Sequence, residues 1–162
     1  MGMKRRCCMK GTRIVVAVVV GVVFWAAQVV NSATVTFEQL KQGKAIVKET
    51  CTKCHDLEWP MTKVTDRKGW EDTLTKMVNT GAVLDPVDRE LVIEFMLAKS
   101  AFQTKCVLCH SLERPLEKNK QFQEWVVTVQ RMSSKKPGHL TDADIKDISG
   151  FLTAKGAEKA LY

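Results

Sequence analysis

The sequence predicts an all-α chain made of two small, tandemly repeated helical units behind an apolar N-terminal segment. Three observations carry that expectation. Beyond the N-terminal segment, apolar residues recur at helical rather than alternating spacing. Helix-starting residues stand where those stripes begin, Asp85-Pro86 and Thr141 among them. The pentapeptide CTKCH, Cys51 to His55, returns as CVLCH, Cys106 to His110, and its surroundings return with it.

Residues 1–13 contain Lys4, Arg5, Arg6, Lys10 and Arg13 and no acid, and Ile14 to Ala27 is an unbroken apolar run. Fourteen residues suit the apolar core of an export signal, whereas a membrane span needs about 20. Residues 1–33 are therefore expected to be a signal peptide, with Asn31-Ser32-Ala33 supplying small residues for cleavage, in preference to an anchor left attached. In both cases the positive flank stays inside, and the rest of the chain crosses to a periplasmic setting. Cys7 and Cys8 precede the apolar run and read as inert leader thiols. Without the leader's positive charges the formal +7 falls to about +2, which carries no nucleic-acid signature. Contact with a membrane is expected only through the leader.

The stretch Phe37 to His55 places Phe37, Leu40, Lys44, Ile46 and Val47 at mostly helical spacing and ends in the first motif. A loop containing Pro60 follows, then a helix from about Arg67 to Asn79 in which Trp70, Leu74 and Met77 form one stripe. Gly81 breaks it. Asp85-Pro86 begins a third helix that meets no further glycine or proline before Cys106. That helix is expected to be shared by a first unit, residues 34–97, and a second, residues 98–162, fusing them into one body. The second unit repeats the first at an offset of 55, matching Leu57/Leu112, Glu58/Glu113, Pro60/Pro115, Trp70/Trp125, Thr73/Thr128 and Met77/Met132. After one extra residue between Ser133 and His139 the offset becomes 56, matching Leu84/Leu140, Asp88/Asp144, Phe95/Phe151 and Lys99/Lys155. Thr141 caps the last helix and Gly156 stops it.

Two cysteines three apart with histidine directly after them form the arrangement that attaches a c-type haem: each thiol adds across a vinyl group, and the histidine comes to lie beneath the iron. Cys51, Cys54, Cys106 and Cys109 are the candidate attachment points, His55 and His110 the candidate proximal ligands. A zinc knuckle and a redox CxxC pair are the alternatives for such a motif. Units of roughly 55 to 60 residues bury little core, and two haems would supply that filling. With all four cysteines consumed, no disulfide is expected.

For the second axial position, Met77 follows His55 by 22 residues and Met132 follows His110 by 22. No other methionine lies beyond Cys106. Met61 and Met96 compete at the first site, but their repeat partners are Leu116 and Leu152, so core packing accounts for both. His139 competes with Met132 at the second. Trp70 and Trp125, two turns before the methionines on the same face, are candidates either for haem contact or for plain core. Lys53, Lys63, Lys68 and Lys76 in one unit, and Lys105, Lys118, Lys120 and Arg131 in the other, form either a rim that steers an acidic redox partner or an ordinary solvated face.

Residues 37–155 resemble the dihaem cytochromes c. Each repeat, with CxxCH, then Trp, then Met seven later, is similar to the small haem c units of quinohaemoprotein amine dehydrogenases. The resemblance implies an all-helical cytochrome c fold with two covalently bound haem c groups, and His/Met ligation of iron by His55 with Met77 and His110 with Met132. It implies one-electron transfer between periplasmic or membrane redox partner proteins rather than catalysis. No dehydrogenase portion accompanies the repeats, so a carrier or the electron-transfer subunit of a larger complex is expected. The competing class is a haem enzyme of the dihaem peroxidase kind, which needs an open sixth position; matched methionines in both units argue against it.

Overall fold

The computed structural model describes residues 35–156, and the expected leader, residues 1–33, lies outside the described residues. Every regular element among the described residues is helical, and no helix among them is long and apolar enough to cross a membrane.

Helix α1, Phe37–Ile46, starts at a capping box in which the Thr36 N–H donates to Gln39 Oε1 at 2.8 Å and the Gln39 N–H donates to Thr36 Oγ1 at 3.3 Å. Leu40, Gly43, Lys44 and Val47 turn one face of it inward. Over Val47–Cys51 the winding widens into a single π turn that delivers the chain to the first motif. The stretch after His55, expected as loop, folds into a short helix α2, Glu58–Thr62. Pro60 is tolerated there because it sits in the first turn, where its missing N–H has no intrahelical partner to lose.

Helix α3, Arg67–Asn79, is capped by Asp66, whose carboxylate accepts from the Gly69 N–H at 2.8 Å. It ends at Gly81, whose φ of +111° reverses the chain without a Cβ penalty. Helix α4, Pro86–Cys106, runs 21 residues without interruption behind its Asp85 cap. Helices α5, Glu113–Leu116, α6, Phe122–Ser133, and α7, Asp142–Ala154, complete the order. Capping boxes open α6, between Gln121 and Glu124, and α7, between Thr141 and Asp144.

The core lies where α1, α4 and α7 pack on one another, with α3 laid on α4 and α6 on α7. Leu40, Phe95 and Phe151 occupy corresponding positions of the three central helices and are all fully buried. The Phe95 and Phe102 rings lie 5.6 and 5.3 Å from the Phe151 ring. Contact between α1 and α4 is close enough that a Cβ on Gly43 would stand 2.2 Å from the Leu91 carbonyl oxygen. Arg67 ties α3 to α4 through Glu90, at 2.8 Å, and Glu94. The residues that lead into each CxxCH turn therefore belong to, or continue from, helices held in the central packing.

Candidate functional site

Both CxxCH segments form one tight turn at a helix end. The Cys54 N–H reaches the Cys51 carbonyl at 3.5 Å, and the Cys109 N–H reaches the Cys106 carbonyl at 3.5 Å. The histidine that closes each turn is oriented by the carbonyl immediately following: His55 Nδ1 lies 2.5 Å from the Asp56 oxygen and His110 Nδ1 lies 2.8 Å from the Ser111 oxygen. A ring nitrogen facing a carbonyl carries the proton. Nδ1 thus donates, and Nε2 keeps the lone pair that a metal ligand requires.

The first motif opens onto a cleft of about 230 Å³ lined by Thr50, Cys51, Cys54, His55, Leu74, Met77, Thr80, Ala82 and Leu84. Four side chains singled out in the sequence, Cys51, Cys54, His55 and Met77, are thereby brought to one apolar-walled space. In the second half His110 is half-buried, while Met132 stands 41 % exposed on α6. His139 puts its Nε2 2.9 Å from the carbonyl of Lys105, next to Cys106, so that nitrogen ties the loop before α7 to the end of α4. Met61 and Met96 are core residues, 3 % and 2 % exposed.

The four motif cysteines form no disulfide among the described residues. Burial, reinforced by the neighbouring Cys54 sulfur, raises the Cys51 thiol above its ordinary range, and burial with Cys109 beside it pushes Cys106 up to about 11. A redox-active CxxC pair needs the opposite shift. Among the described residues no group of three His, Cys, Asp or Glu side chains converges to hold a bare metal ion.

Trp70 and Trp125 are buried at 1 % and 2 % exposure, and neither indole N–H has an acceptor. Of the expected basic rim, Lys68 pairs with Asp72 at 3.1 Å and Lys105 with Asp144 at 3.7 Å, while Lys63 and Lys120 turn back to Thr73 and Thr128. Lys53, Lys76, Lys118 and Arg131 remain exposed.

Three lysines that the sequence places in helical stripes prove to be interior residues, a role their spacing alone does not assign. Lys99 is fully buried and donates to the carbonyls of Pro60, Met61 and Lys63 at 3.2, 3.1 and 2.5 Å. Lys155 donates to the Lys118 carbonyl at 3.0 Å, and Lys44 to the Lys155 carbonyl at 2.7 Å. The available signal was their register: Lys44, Lys99 and Lys155 recur at offsets of 55 and 56 within apolar stripes.

Comparison with protein-family models, with curated proteins and with solved structures gives no match for this chain.

Proposed function

We propose that the protein is an exported dihaem c-type cytochrome that carries electrons one at a time between redox partner proteins of the periplasm or its membrane. The observation that carries this reading is the gathering of Cys51, Cys54, His55 and Met77 around one apolar cleft. Those side chains fit a covalently held haem. Two thiols stand three residues apart on one turn, an imidazole keeps its Nε2 free, and a thioether comes from another helix. A porphyrin brings four nitrogen donors, so two protein ligands complete its iron, and no cluster of three or more protein donors is called for.

In this reading the haem supplies a one-electron iron couple when bound. Cys51 with Cys54, and Cys106 with Cys109, would hold the two groups; His55 and His110 would each supply a nitrogen to the iron, and the carbonyls of Asp56 and Ser111 fix the imidazole orientation. Met77 and Met132 would supply the other protein ligand to each iron. We read the chain as a duplication with lobes 34–97 and 98–162 sharing α4. Paired hydrogen bonds at matched positions support it: Cys54 to Cys51 and Cys109 to Cys106, His55 to Asp56 and His110 to Ser111, Lys99 to Lys63 and Lys155 to Lys118.

A second reading, a haem enzyme with a displaceable sixth ligand at the second motif, draws on the exposure of Met132. Intact mass and reduced-minus-oxidised spectra of the exported protein test both readings. The carrier predicts the processed polypeptide plus two haems, each low-spin; a high-spin ferric component with peroxide turnover favours the enzyme. A colourless product with the mass of bare polypeptide overturns both.

A further inference from the structure

Each half of the molecule sets a buried lysine on the chain that follows its CxxCH turn. In the first half the fully buried Lys99 of α4 donates from Nζ to the carbonyls of Pro60, Met61 and Lys63 at 3.2, 3.1 and 2.5 Å. One turn further along α4, Gln103 Nε2 donates to the Met61 carbonyl at 2.9 Å. In the second half Lys155, at the end of α7, donates from Nζ to the Lys118 carbonyl at 3.0 Å and to that of its neighbour Gly156 at 2.9 Å. Lys63 and Lys118 are equivalent in the repeat, as are Lys99 and Lys155. Both lysines therefore reach the same point of chain, eight residues beyond the motif histidine.

The carbonyls that receive them are of the kind a helix leaves open at its end. With five residues in α2 and four in α5, neither helix is long enough to hold by its own hydrogen bonds. Pro60 and Met61 are buried, where an unmet carbonyl is costly, so Lys99 fixes where α2 lies against α4. The other end of each short helix is joined to the histidine. Asp56 Oδ1 accepts from the Glu58 N–H at 3.0 Å and opens α2, while the carbonyl of the same residue faces His55 Nδ1 at 2.5 Å. Ser111 holds the matching place: its side chain hydrogen-bonds Glu113 at the start of α5, and its carbonyl faces His110 Nδ1 at 2.8 Å. One residue thus links each imidazole to a helix whose far end is held by lysine. Lys44 shares the register, two turns before Cys51 as Lys99 is before Cys106, but its Nζ donates to the Lys155 carbonyl at 2.7 Å, at the end of α7.

We propose that Lys99 and Lys155 are positioning residues: by holding the chain after each motif they set the bearing of the His55 and His110 imidazoles on the irons those rings would ligate. The inference rests on the dihaem reading above. The plane of an axial imidazole governs how its π orbitals meet the iron d orbitals, so a ring held by its Nδ1–H presents one ligand field and a ring free to swing presents an average. The hold is firmer in the first half. There Lys99 and Gln103 together place four hydrogen bonds on the end of α2, whereas Lys155 places one on the chain after α5.

The test uses the haem-loaded full-length protein at neutral pH with Lys99→Met, Gln103→Leu, Lys155→Met and Lys44→Met variants. Intact mass counts the haems, and proton NMR of the oxidised protein reads the haem methyl resonances, whose spread reports the orientation of the axial ring. The methyl set that disappears when Cys51 and Cys54 are both replaced by alanine identifies the first haem. Lys99→Met is expected to shift that set and leave the other in place. Gln103→Leu shifts the same set by less, and Lys155→Met shifts the set of the second haem, again by less than Lys99→Met shifts the first. Lys44→Met leaves the first set where it is. Should Lys99→Met fail to fold, Gln103→Leu carries the test, since it also removes a buried Oε1 that has no partner. Unmoved methyl sets in a Lys99→Met or Lys155→Met protein that retains both haems overturn the proposal for that half. A first-haem shift in Lys44→Met as large as in Lys99→Met overturns it too, as does a Lys99→Met change spread over both haems, because either marks a general loosening of the core. A wild type without haem overturns the dihaem reading itself, a distinct result.

Discussion

After α3 the chain reverses at Gly81 and the Ala82 N–H returns to the Met77 carbonyl at 2.9 Å, so Thr80, Ala82 and Leu84 line the same cleft as Met77. After α6 the connection is longer, turns at Gly138, and is tied by His139 to the end of α4 instead, leaving Met132 exposed. The motif turns themselves differ little, with the same Cys–Cys hydrogen bond and the same carbonyl orienting each histidine. Local geometry at the motif is thus repeated while its cover is not, and cover is set by one loop. If both motifs hold haem, the two irons experience different access to water, which is one of the levers on a haem potential. The first site is expected to have the higher midpoint.

The largest effect separates the halves by their attachment points. If both motifs hold haem as proposed, Cys51→Ala with Cys54→Ala, and separately Cys106→Ala with Cys109→Ala, are each expected to lower the intact mass of the protein by one haem. Each should leave the other haem's spectrum in place. Loss of both groups from one double substitution would mean that the halves do not load independently, and the comparison between them would break.

Next in size is a contrast in packing. A methyl group at Gly43 meets the Leu91 backbone oxygen at 2.2 Å and the Phe95 Cβ at 2.9 Å, which are parts of α4 that cannot step aside. At Gly150 on α7 it meets the Leu40 Cδ1 at 2.6 Å, the end of a flexible side chain. Gly43→Ala is expected to cost about 3 kcal/mol and Gly150→Ala about 1 kcal/mol, read from urea unfolding midpoints at constant slope. Equal losses would show that α1 is no more tightly held by α4 than by α7.

Lys99 gives a pH dependence with a definite sign. Burial lowers its pKa from 10.5 to about 8, so between those values the unfolded chain holds a proton that the folded one has lost. Stability rises with pH across that window, by at most about 3 kcal/mol, and is flat with respect to this group below it. Lys99→Met removes the rise, and its cost at pH 7 is about 2 kcal/mol because the carbonyls of Pro60, Met61 and Lys63 lose their shared donor. Parallel curves for wild type and variant from pH 7 to 10.5 would show that the amine stays charged throughout.

These contrasts mark what a linear reading reaches. The Trp70, Leu74, Met77 stripe, the Asp85 and Thr141 caps and the stop at Gly81 are local signals, each set within one or two turns of chain, and the helices follow them. Lys99 is different. A lone lysine in an apolar stripe reads as a side chain whose amine reaches back to water, and the carbonyls that receive it lie 36 to 39 residues earlier. The π turn over Val47–Cys51 and the short helix through Pro60 were equally illegible, because neither carries a local signal in composition or spacing. Nor does a 22-residue spacing, identical in both halves, report that one methionine lines a cleft and the other faces solvent.

The smallest effect is expected at that exposed methionine. Met132→Leu keeps volume and apolarity at a position 41 % exposed, so the unfolding free energy should change by less than about 0.5 kcal/mol. Its interest is spectroscopic. With haem bound, Met77→Leu removes a thioether that lines the cleft, and is expected to lower the first midpoint and convert that haem to high spin. Met132→Leu should do the same at the second haem only if solvent-exposed Met132 is a true ligand there. An unchanged second spectrum would assign the sixth position to another donor and shift the balance toward the enzyme reading at that site, whereas matched responses would make the two halves functionally alike despite their different cover.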